Sequence, residues 1–179
     1  RRQRQMCIRD SINIGIVNYG ENTENGSKRL QGFQDEIKNV KNARIVAMVS
    51  VSSNTQSATA GARKLLEENP QINVLVGFNE WSTLGVGMAI KELGIKERVC
   101  AIGFDNNTEC VGMLETGELD TLIVQNPFSM GYLAVMNAAN ILSGKKTESV
   151  IKTDVYVVDR SNMFSADVQK ILFGFDKYD

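Results

Sequence analysis

The chain has 179 residues, of which 42% are hydrophobic and 23% are charged, and its formal net charge is −1 with no histidine. This composition is typical of a globular α/β protein and gives no indication of a nucleic-acid partner or an anionic membrane surface. The lack of histidine excludes a Ser-His-Asp arrangement and histidine metal sites, and it disfavours an enzyme. The sequence as given contains neither a membrane-length apolar run nor a signal segment.

The first eleven residues, RRQRQMCIRDS, fit neither a helical nor a strand pattern. Their composition changes abruptly at the apolar run INIGIV, and RQMCIRDS looks like translated sequencing-adapter read-through. We therefore predict that residues 1–11 are non-native, with a native basic tail as the alternative.

From residue 12 onward, short β-rich runs alternate with helical patterns. The predicted strands are 12–17, 43–50, 72–78, 99–104, 121–125 and 152–159. The first two predicted helices cover about residues 25–38 and the segment from the capping signal SSNTQ to EENP. The third covers Trp81–Leu93 and is closed by Gly94, and a short fourth helix ends at Gly117. A long fifth helix begins at Pro127 and is closed by Gly144. This alternation predicts an α/β fold with a parallel sheet and helices on both faces.

The long helix that begins at Pro127 is unusually apolar. Its large side chains spread over more than one face, as is expected of a helix buried in a larger body than this chain supplies.

Polar side chains gather just beyond the predicted strands. The carboxyl ends of parallel strands share one edge of the sheet, where open α/β sheets bind their ligands. This edge collects Ser50 to Asn54, Asn79 and Glu80, Asp105 to Asn107, Gln125 and Asn126, with Arg29 in the opening turns of the first helix and Tyr19 and Trp81 as possible stacking faces.

These groups suit a neutral polyol. A carboxylate accepts two hydroxyl protons, an amide donates and accepts, and a guanidinium forks across two oxygens. The sequence shows no nucleophile-base pair, no metal cluster and no glycine-rich phosphate loop. We expect binding without catalysis, and neither a cofactor nor a metal.

Each of these residues also has a structural alternative. Asp105, Asn79 or Asn107 would cap a helix, Gln125 would bond loop backbone, Arg29 would be a solvated helix residue, and Trp81 would be core. The convergence of these residues at one edge favours the functional interpretation.

Four blocks of the sequence resemble, in order and spacing, the family of type I periplasmic sugar-binding proteins that are similar to ribose-binding protein. The blocks are GSKRLQGFQDEI, NVLVGFNEWSTLGVGMAIKELG, VCAIGFDNN and LETGELDTLIVQNPFSMGYLAV, and the resemblance covers residues 12 to about 160. It implies a two-lobed protein that closes on a sugar and delivers it to an ABC permease or a receptor.

The resemblance also implies site residues by matched position. The sugar-contacting arginine falls on Arg29 of RLQGF, the amide on Asn79 of GFNE, the carboxylate on Asp105 of GFD and the hinge glutamine on Gln125 of VQNPF. Another contact position, near Ser53, carries no aromatic residue here.

The same resemblance implies a truncated chain, because a complete member has another lobe ahead of residue 12. We expect residues 12–126 to be the C-terminal ligand-binding lobe and 127–179 to be a hinge-crossing helix, a strand and a C-terminal tail. The helix at 127–143 would pack in the missing lobe, which predicts an exposed apolar patch in this fragment.

The predicted function is that of an extracytoplasmic solute-binding protein, periplasmic or surface-anchored, which binds a monosaccharide or small polyol for an ABC permease. One alternative is the effector domain of a lactose-repressor-type transcription regulator. A second alternative is the sugar-sensing domain of a membrane receptor kinase. The sequence LDTLIVQNPFSMGYLAV near the hinge is similar to that of transport proteins, which favours the transport function over the repressor alternative.

Overall fold

The protein is described by a computed structural model that covers residues 11–20 and 23–173. Six strands form one sheet in the order β2-β1-β3-β4-β5-β6. The strands are β1 Ile12–Tyr19, β2 Ala43–Val51, β3 Val74–Gly77, β4 Cys100–Phe104, β5 Thr121–Gln125 and β6 Val155–Asp159. The helices are α1 Glu24–Ile37, α2 Thr55–Glu68, α3 Glu80–Leu93, α4 Thr108–Thr116, α5 Pro127–Leu142 and α6 Ala166–Phe173.

The strand directions confirm the predicted parallel sheet for β1 to β5 and correct it for β6. β5 and β6 pair antiparallel, with Gln125 opposite Val155. The reason is the path of the chain: α5 leaves from the carboxyl edge where β5 ends, and β6 starts at that same edge. β6 therefore runs back along β5.

The helices lie on both sides of the sheet and enclose two groups of buried residues. α2, α3, α4 and α6 pack on one side with the larger core, whereas α1 packs on the other side over β1 and β3. The right-handed crossover rule explains this division. The β1-to-β2 connection runs toward one edge of the sheet and every later parallel connection runs toward the other, so the helices fall on opposite faces.

The predicted helix boundaries are confirmed where capping chemistry marks them. The Asn54 side chain accepts a hydrogen bond from Ser57 N at the start of α2, and Pro127 is the first residue of α5. Gly94 ends α3 at φ 64° and Gly117 ends α4 at φ 91°, in the left-handed region that glycine adopts without a Cβ clash.

α5 has no buried residue along its whole length. Phe128 is 61% exposed, Val135 70% and Leu142 88%. The predicted exposed apolar patch is therefore confirmed. Within the described ranges, no helix combines the length and apolar character needed to cross a membrane.

Candidate functional site

Three of the four predicted site residues lie along one edge of the sheet. Asn79, Asp105 and Gln125 stand at or just beyond the carboxyl ends of β3, β4 and β5, which are consecutive neighbours. With strands about 4.8 Å apart, Asn79 and Gln125 are separated by about 10 Å across the sheet. The edge can therefore present polar groups to several atoms of one small ligand.

Arg29 reaches this edge from α1 and is held in place from two directions. Its Nη1 donates to the carbonyl of Phe78 at 2.5 Å, and its guanidinium carbon lies 4.7 Å from the centroid of the Phe104 ring. A cation over an aromatic face is attracted by the ring quadrupole. The alternative of a solvated helix residue is wrong, because Arg29 is half-buried and anchored on Phe78, just beyond β3, and on Phe104 of β4.

Asp105 follows β4 directly, in an unusual backbone conformation. Its φ is +70°, which makes it the one non-glycine residue with positive φ among the described residues. Its Oδ2 accepts a hydrogen bond from the backbone N–H of Glu80 at 3.1 Å. The conformation turns the chain at the end of β4 and brings the carboxylate to the first residue of α3.

The surroundings of Asp105 act on its pKa in opposite directions. Partial burial raises the pKa of the Asp105 carboxyl above its ordinary value of 3.8, because the charged form loses solvation. The charge of Arg29 and the Glu80 N–H lower the pKa of Asp105, but they do not cancel the effect of burial. The Glu80 carboxylate raises the pKa further. The carboxylate is thus desolvated while a hydrogen-bond donor and a cation stand beside it.

Asn79 caps α3, so the predicted structural alternative is confirmed for this residue. Its Oδ1 accepts from Ser82 N at 2.9 Å, and Ser82 Oγ accepts from Asn79 N at 2.9 Å, which completes a capping box. Among the described residues, Asn79 Nδ2 has no recorded hydrogen bond. The amide therefore has a donor to offer to a ligand while its oxygen is committed to the helix.

Asn107 caps α4, which confirms the capping alternative for Asn107 and not for Asp105. Asn107 Oδ1 accepts from Glu109 N at 2.8 Å, and its Nδ2 donates to Glu80 Oε1 at 2.7 Å. The expectation that Asp105 would cap the helix after its own strand is wrong, because Asp105 instead bonds the first turn of α3. Asn107 thereby also orients Glu80 at the edge.

Gln125 is the last residue of β5 and is half-buried. Its side chain has no recorded hydrogen bond within the part of the chain that the structure describes. The neighbouring Asn126 caps α5 by accepting from Ser129 N at 2.9 Å. Gln125 is thus placed between the end of the sheet and the start of α5, with its amide uncommitted.

The two aromatic candidates differ in their surroundings. Trp81 is 38% exposed at the start of α3, so its interpretation as a core residue is wrong. The first turn of α3 lies at the carboxyl edge, and the helix is buried farther along, around Leu84 and Ile90. Tyr19 is half-buried and packs against the residues between α1 and the sheet.

The sequence interpretation missed the role of two phenylalanines. Phe78 supplies the carbonyl that anchors Arg29, and Phe104 supplies the ring beneath the guanidinium. The two rings also pack edge-to-face, with 5.9 Å between their centroids. A signal was available, since Gly-Phe closes both strands, at 77–78 and at 103–104.

The acidic and cysteine side chains of residues 11–20 and 23–173 are not grouped as metal ligands. No cluster of three or more Cys, Asp or Glu side chains suited to a metal ion occurs there. The polar groups at the edge are the carboxylates of Asp105 and Glu80, the guanidinium of Arg29 and several amides. These are hydrogen-bonding groups suited to an uncharged ligand.

The profile of the family described as "periplasmic binding protein domain" matches residues 4–146. The chain belongs to this family. The resemblance to type I periplasmic sugar-binding proteins is thereby confirmed, and so is the fold that it implied.

The relatives of this periplasmic binding protein domain are named for sugar binding and transport, not for catalysis. The D-ribose/D-allose-binding protein of Pseudomonas aeruginosa is 26% identical over 149 residues, covering 81% of this chain and 46% of that protein. The chain thus spans about half the length of the curated relatives it matches.

Two solved structures show the same fold at larger size. A carbohydrate transporter solute-binding protein of Agrobacterium radiobacter in complex with D-arabinose superposes with a TM-score of 0.85 at 26% identity, covering 90% of this chain and 55% of that one. An ABC transporter solute-binding protein of Agrobacterium vitis with bound D-fucose gives a TM-score of 0.85 at 28% identity, covering 95% and 60%.

Proposed function

We propose that this chain is the sugar-binding portion of a solute-binding protein that delivers a monosaccharide to an ABC importer. The observation that carries the proposal is the convergence of Arg29, Asn79, Asp105 and Gln125 on one edge of the sheet in a member of this family. Each residue there has at least one polar group available to a ligand.

The proposed contacts follow from the hydrogen-bonding state of each group. The Asp105 carboxylate accepts hydroxyl protons, Asn79 Nδ2 donates, and Gln125 both donates and accepts. Arg29 donates through the guanidinium N–H groups that do not bond Phe78, and the Phe104 ring keeps the fork in one orientation. The carboxylates of Glu80 and Asp105 repel anionic ligands, so the proposed ligand is a neutral sugar.

The proposed mechanism is closure of two lobes on the sugar, with residues 12–126 forming one lobe together with β6 and α6, which belong to the same sheet and core. Residues 126–154 leave the sheet and return to it at the edge where the site lies, since Gln125 pairs with Val155. That path and the exposure of α5 support a hinge at this edge and a second lobe that α5 joins.

The proposed partners are a monosaccharide or related polyol and the membrane subunits of an ABC permease, with no nucleic acid. The proposed location is outside the cytoplasm, as a periplasmic or surface-anchored protein. The ligands named for the relatives, D-ribose, D-allose, D-arabinose and D-fucose, are the first sugars to test.

Isothermal titration of the full-length protein with these four sugars tests the proposal. We expect one of them to bind, and we expect Asp105→Ala to weaken that binding by about 2 to 4 kcal/mol, because the buried sugar hydroxyls would lose their acceptor.

The matched control is Asp35→Asn, which removes a carboxylate from the exposed surface of α1. Its affinity should equal that of the unmodified protein. Asp105→Asn, which tolerates φ +70°, separates loss of the carboxylate from backbone strain. Unchanged affinity in Asp105→Ala would remove Asp105 from the site, and no binding of any sugar would contradict the proposed function.

A further inference from the structure

The helix α6 ends against the loop that carries Asp105. Asn106, the next residue in that loop, donates from Nδ2 to the backbone carbonyl of Leu172 at 2.8 Å and to that of Ile171 at 3.2 Å. Both carbonyls lie in the last turn of α6, where carbonyl groups have no partner within the helix. One side chain of the candidate edge therefore supplies hydrogen bonds that the end of α6 needs.

α6 is held in place by contacts of its own. Leu172 is 3% exposed and belongs to the larger core, against which Val168 and Ile171 also pack. Within the same helix, Gln169 Nε2 donates to the backbone carbonyl of Met163 at 2.6 Å. The end of α6 is thus a fixed point, and the two hydrogen bonds tie Asn106 to it.

The loop between β4 and α4 is held by three consecutive side chains, each of which bonds a different helix. Asp105 bonds the first residue of α3, Asn106 bonds the end of α6, and Asn107 caps α4. Asp105 has a φ of +70°, a conformation that residues with a β-carbon keep only where the surrounding structure imposes it. The hydrogen bonds of Asn106 restrain the backbone immediately after this residue.

The contact also has a purely structural interpretation, in which Asn106 only caps α6. Asn69 shows what that role looks like: its Nδ2 donates to the Leu65 carbonyl at 3.0 Å where α2 ends, away from the carboxyl edge. Asn106 differs from Asn69 because it adjoins Asp105 in the chain. A displacement of the Asn106 backbone therefore displaces the carboxylate as well.

We propose that Asn106 is a positioning residue of the candidate site and that α6, through Asn106, holds the Asp105 carboxylate toward the sugar. The inference rests on the proposed sugar-binding function and adds α6 to the elements that shape the site. Without the two hydrogen bonds, the backbone beside Asp105 is free to turn. The carboxylate then meets the sugar hydroxyls at a poorer distance and angle, which weakens the hydrogen bonds.

A double-mutant cycle on the full-length protein tests the proposal with the monosaccharide that binds best. Asn106→Ala is made alone and together with Asp105→Asn, and sugar affinity is measured by isothermal titration. We expect Asn106→Ala to weaken binding about tenfold alone but less than about twofold beside Asp105→Asn, because Asn106 acts through the carboxylate. Asn69→Ala removes a donor from another helix end and is the matched control, which should leave sugar affinity unchanged.

A second measurement does not depend on sugar. An NMR titration of the full-length protein follows the Asp105 carboxyl, whose resonance is assigned by its absence in Asp105→Asn. Partial burial holds the pKa of Asp105 above 3.8, so we expect Asn106→Ala to lower that pKa toward 3.8 as the displaced carboxylate gains water. Asn69→Ala should leave the pKa of Asp105 where it is.

A milder variant serves if alanine at position 106 impairs folding, which urea unfolding detects. Asn106→Ser keeps a hydroxyl donor on a shorter side chain. It should change the sugar affinity and the pKa of Asp105 in the same directions as Asn106→Ala, by smaller amounts.

Three results would overturn the proposal. Unchanged sugar affinity in Asn106→Ala would remove Asn106 from the site. An equal loss of affinity with and without Asp105→Asn would show that Asn106 only stabilises the fold. An unmoved pKa of Asp105 would show that Asn106 does not position the carboxylate. If no sugar binds the full-length protein, the proposed function fails, and the NMR titration alone decides the role of Asn106.

Discussion

Asp105 combines two features that work against stability. Its carboxylate is partly desolvated, which raises its pKa, and its backbone has a positive φ that β-carbon-bearing residues seldom adopt. Residues that oppose stability and lie at the end of a strand are typical of functional sites. The proposed role in binding hydroxyl groups explains why an acid occupies this position.

Replacing Asp105 with asparagine should separate stability from binding. Asparagine keeps an oxygen for the Glu80 N–H and tolerates positive φ, but it carries no charge to desolvate. We expect Asp105→Asn to raise the free energy of unfolding at pH 7 by up to about 1 kcal/mol, a small value because the carboxylate is only partly buried. Urea unfolding of both proteins measures the difference.

The pH dependence of that difference has a definite sign. Above its raised pKa, the Asp105 carboxyl is charged in the folded protein at a cost that the variant lacks. Below its ordinary value of 3.8, it is protonated in both the folded and the unfolded states, and the cost is gone. The advantage of the variant should therefore shrink as the pH falls through this range. A variant less stable than the unmodified protein at pH 7 would contradict the assigned cause.

The sequence predicted the location of the candidate site better than its internal contacts. Asn79 and Asp105 follow strands and Gln125 ends one, so their placement on one edge depends only on the parallel order of the sheet. The anchoring of Arg29 by the Phe78 carbonyl and the Phe104 ring depends on how α1 packs across the sheet. Sequence spacing does not determine that packing.

At the scale of elements, asparagine residues that cap helices define the edge of the sheet. Asn54, Asn79, Asn107 and Asn126 each accept a hydrogen bond from the first turn of the helix that follows a strand. Asn79 is the one for which we also propose a ligand contact, through the amide nitrogen that the cap leaves available.

Two substitutions at Asn79 should distinguish these roles. Asn79→Ala removes the capping oxygen of α3 and should lower the free energy of unfolding by about 1 to 2 kcal/mol. Asn79→Ser keeps an oxygen for Ser82 N, so it should leave stability nearly unchanged while it removes the Nδ2 donor and weakens sugar binding. Urea unfolding and calorimetric titration of the full-length variants measure the two effects. Unchanged sugar affinity in Asn79→Ser would leave Asn79 with the capping role alone.

The order of the six strands and the first five helices was predictable because each strand is a short apolar run and these helices carry capping residues or a closing glycine. Helix α6 was not predicted, because the residues after β6 were interpreted as a C-terminal tail. The antiparallel direction of β6 was not predictable from its own sequence. It depends on where the chain returns after α5, and that return lies at the carboxyl edge beside Gln125.

At the scale of the whole molecule, exposed apolar surface is concentrated on α5. No residue of α5 is buried among the described residues, and the chain spans about half of its curated relatives. We propose that a second lobe covers α5. The intact protein would then hide this surface, and the sugar would bind where α5 leaves the sheet.

A crystal structure of the full-length protein with its best-binding monosaccharide tests the proposed site most directly. We expect sugar oxygens within about 2.6–3.2 Å of the Arg29 guanidinium, Asn79 Nδ2, the Asp105 carboxylate and the Gln125 amide, with a second lobe closed over the sugar. A sugar bound elsewhere, with these four side chains farther than about 3.5 Å from it, would contradict the assignment of the carboxyl edge as the binding site.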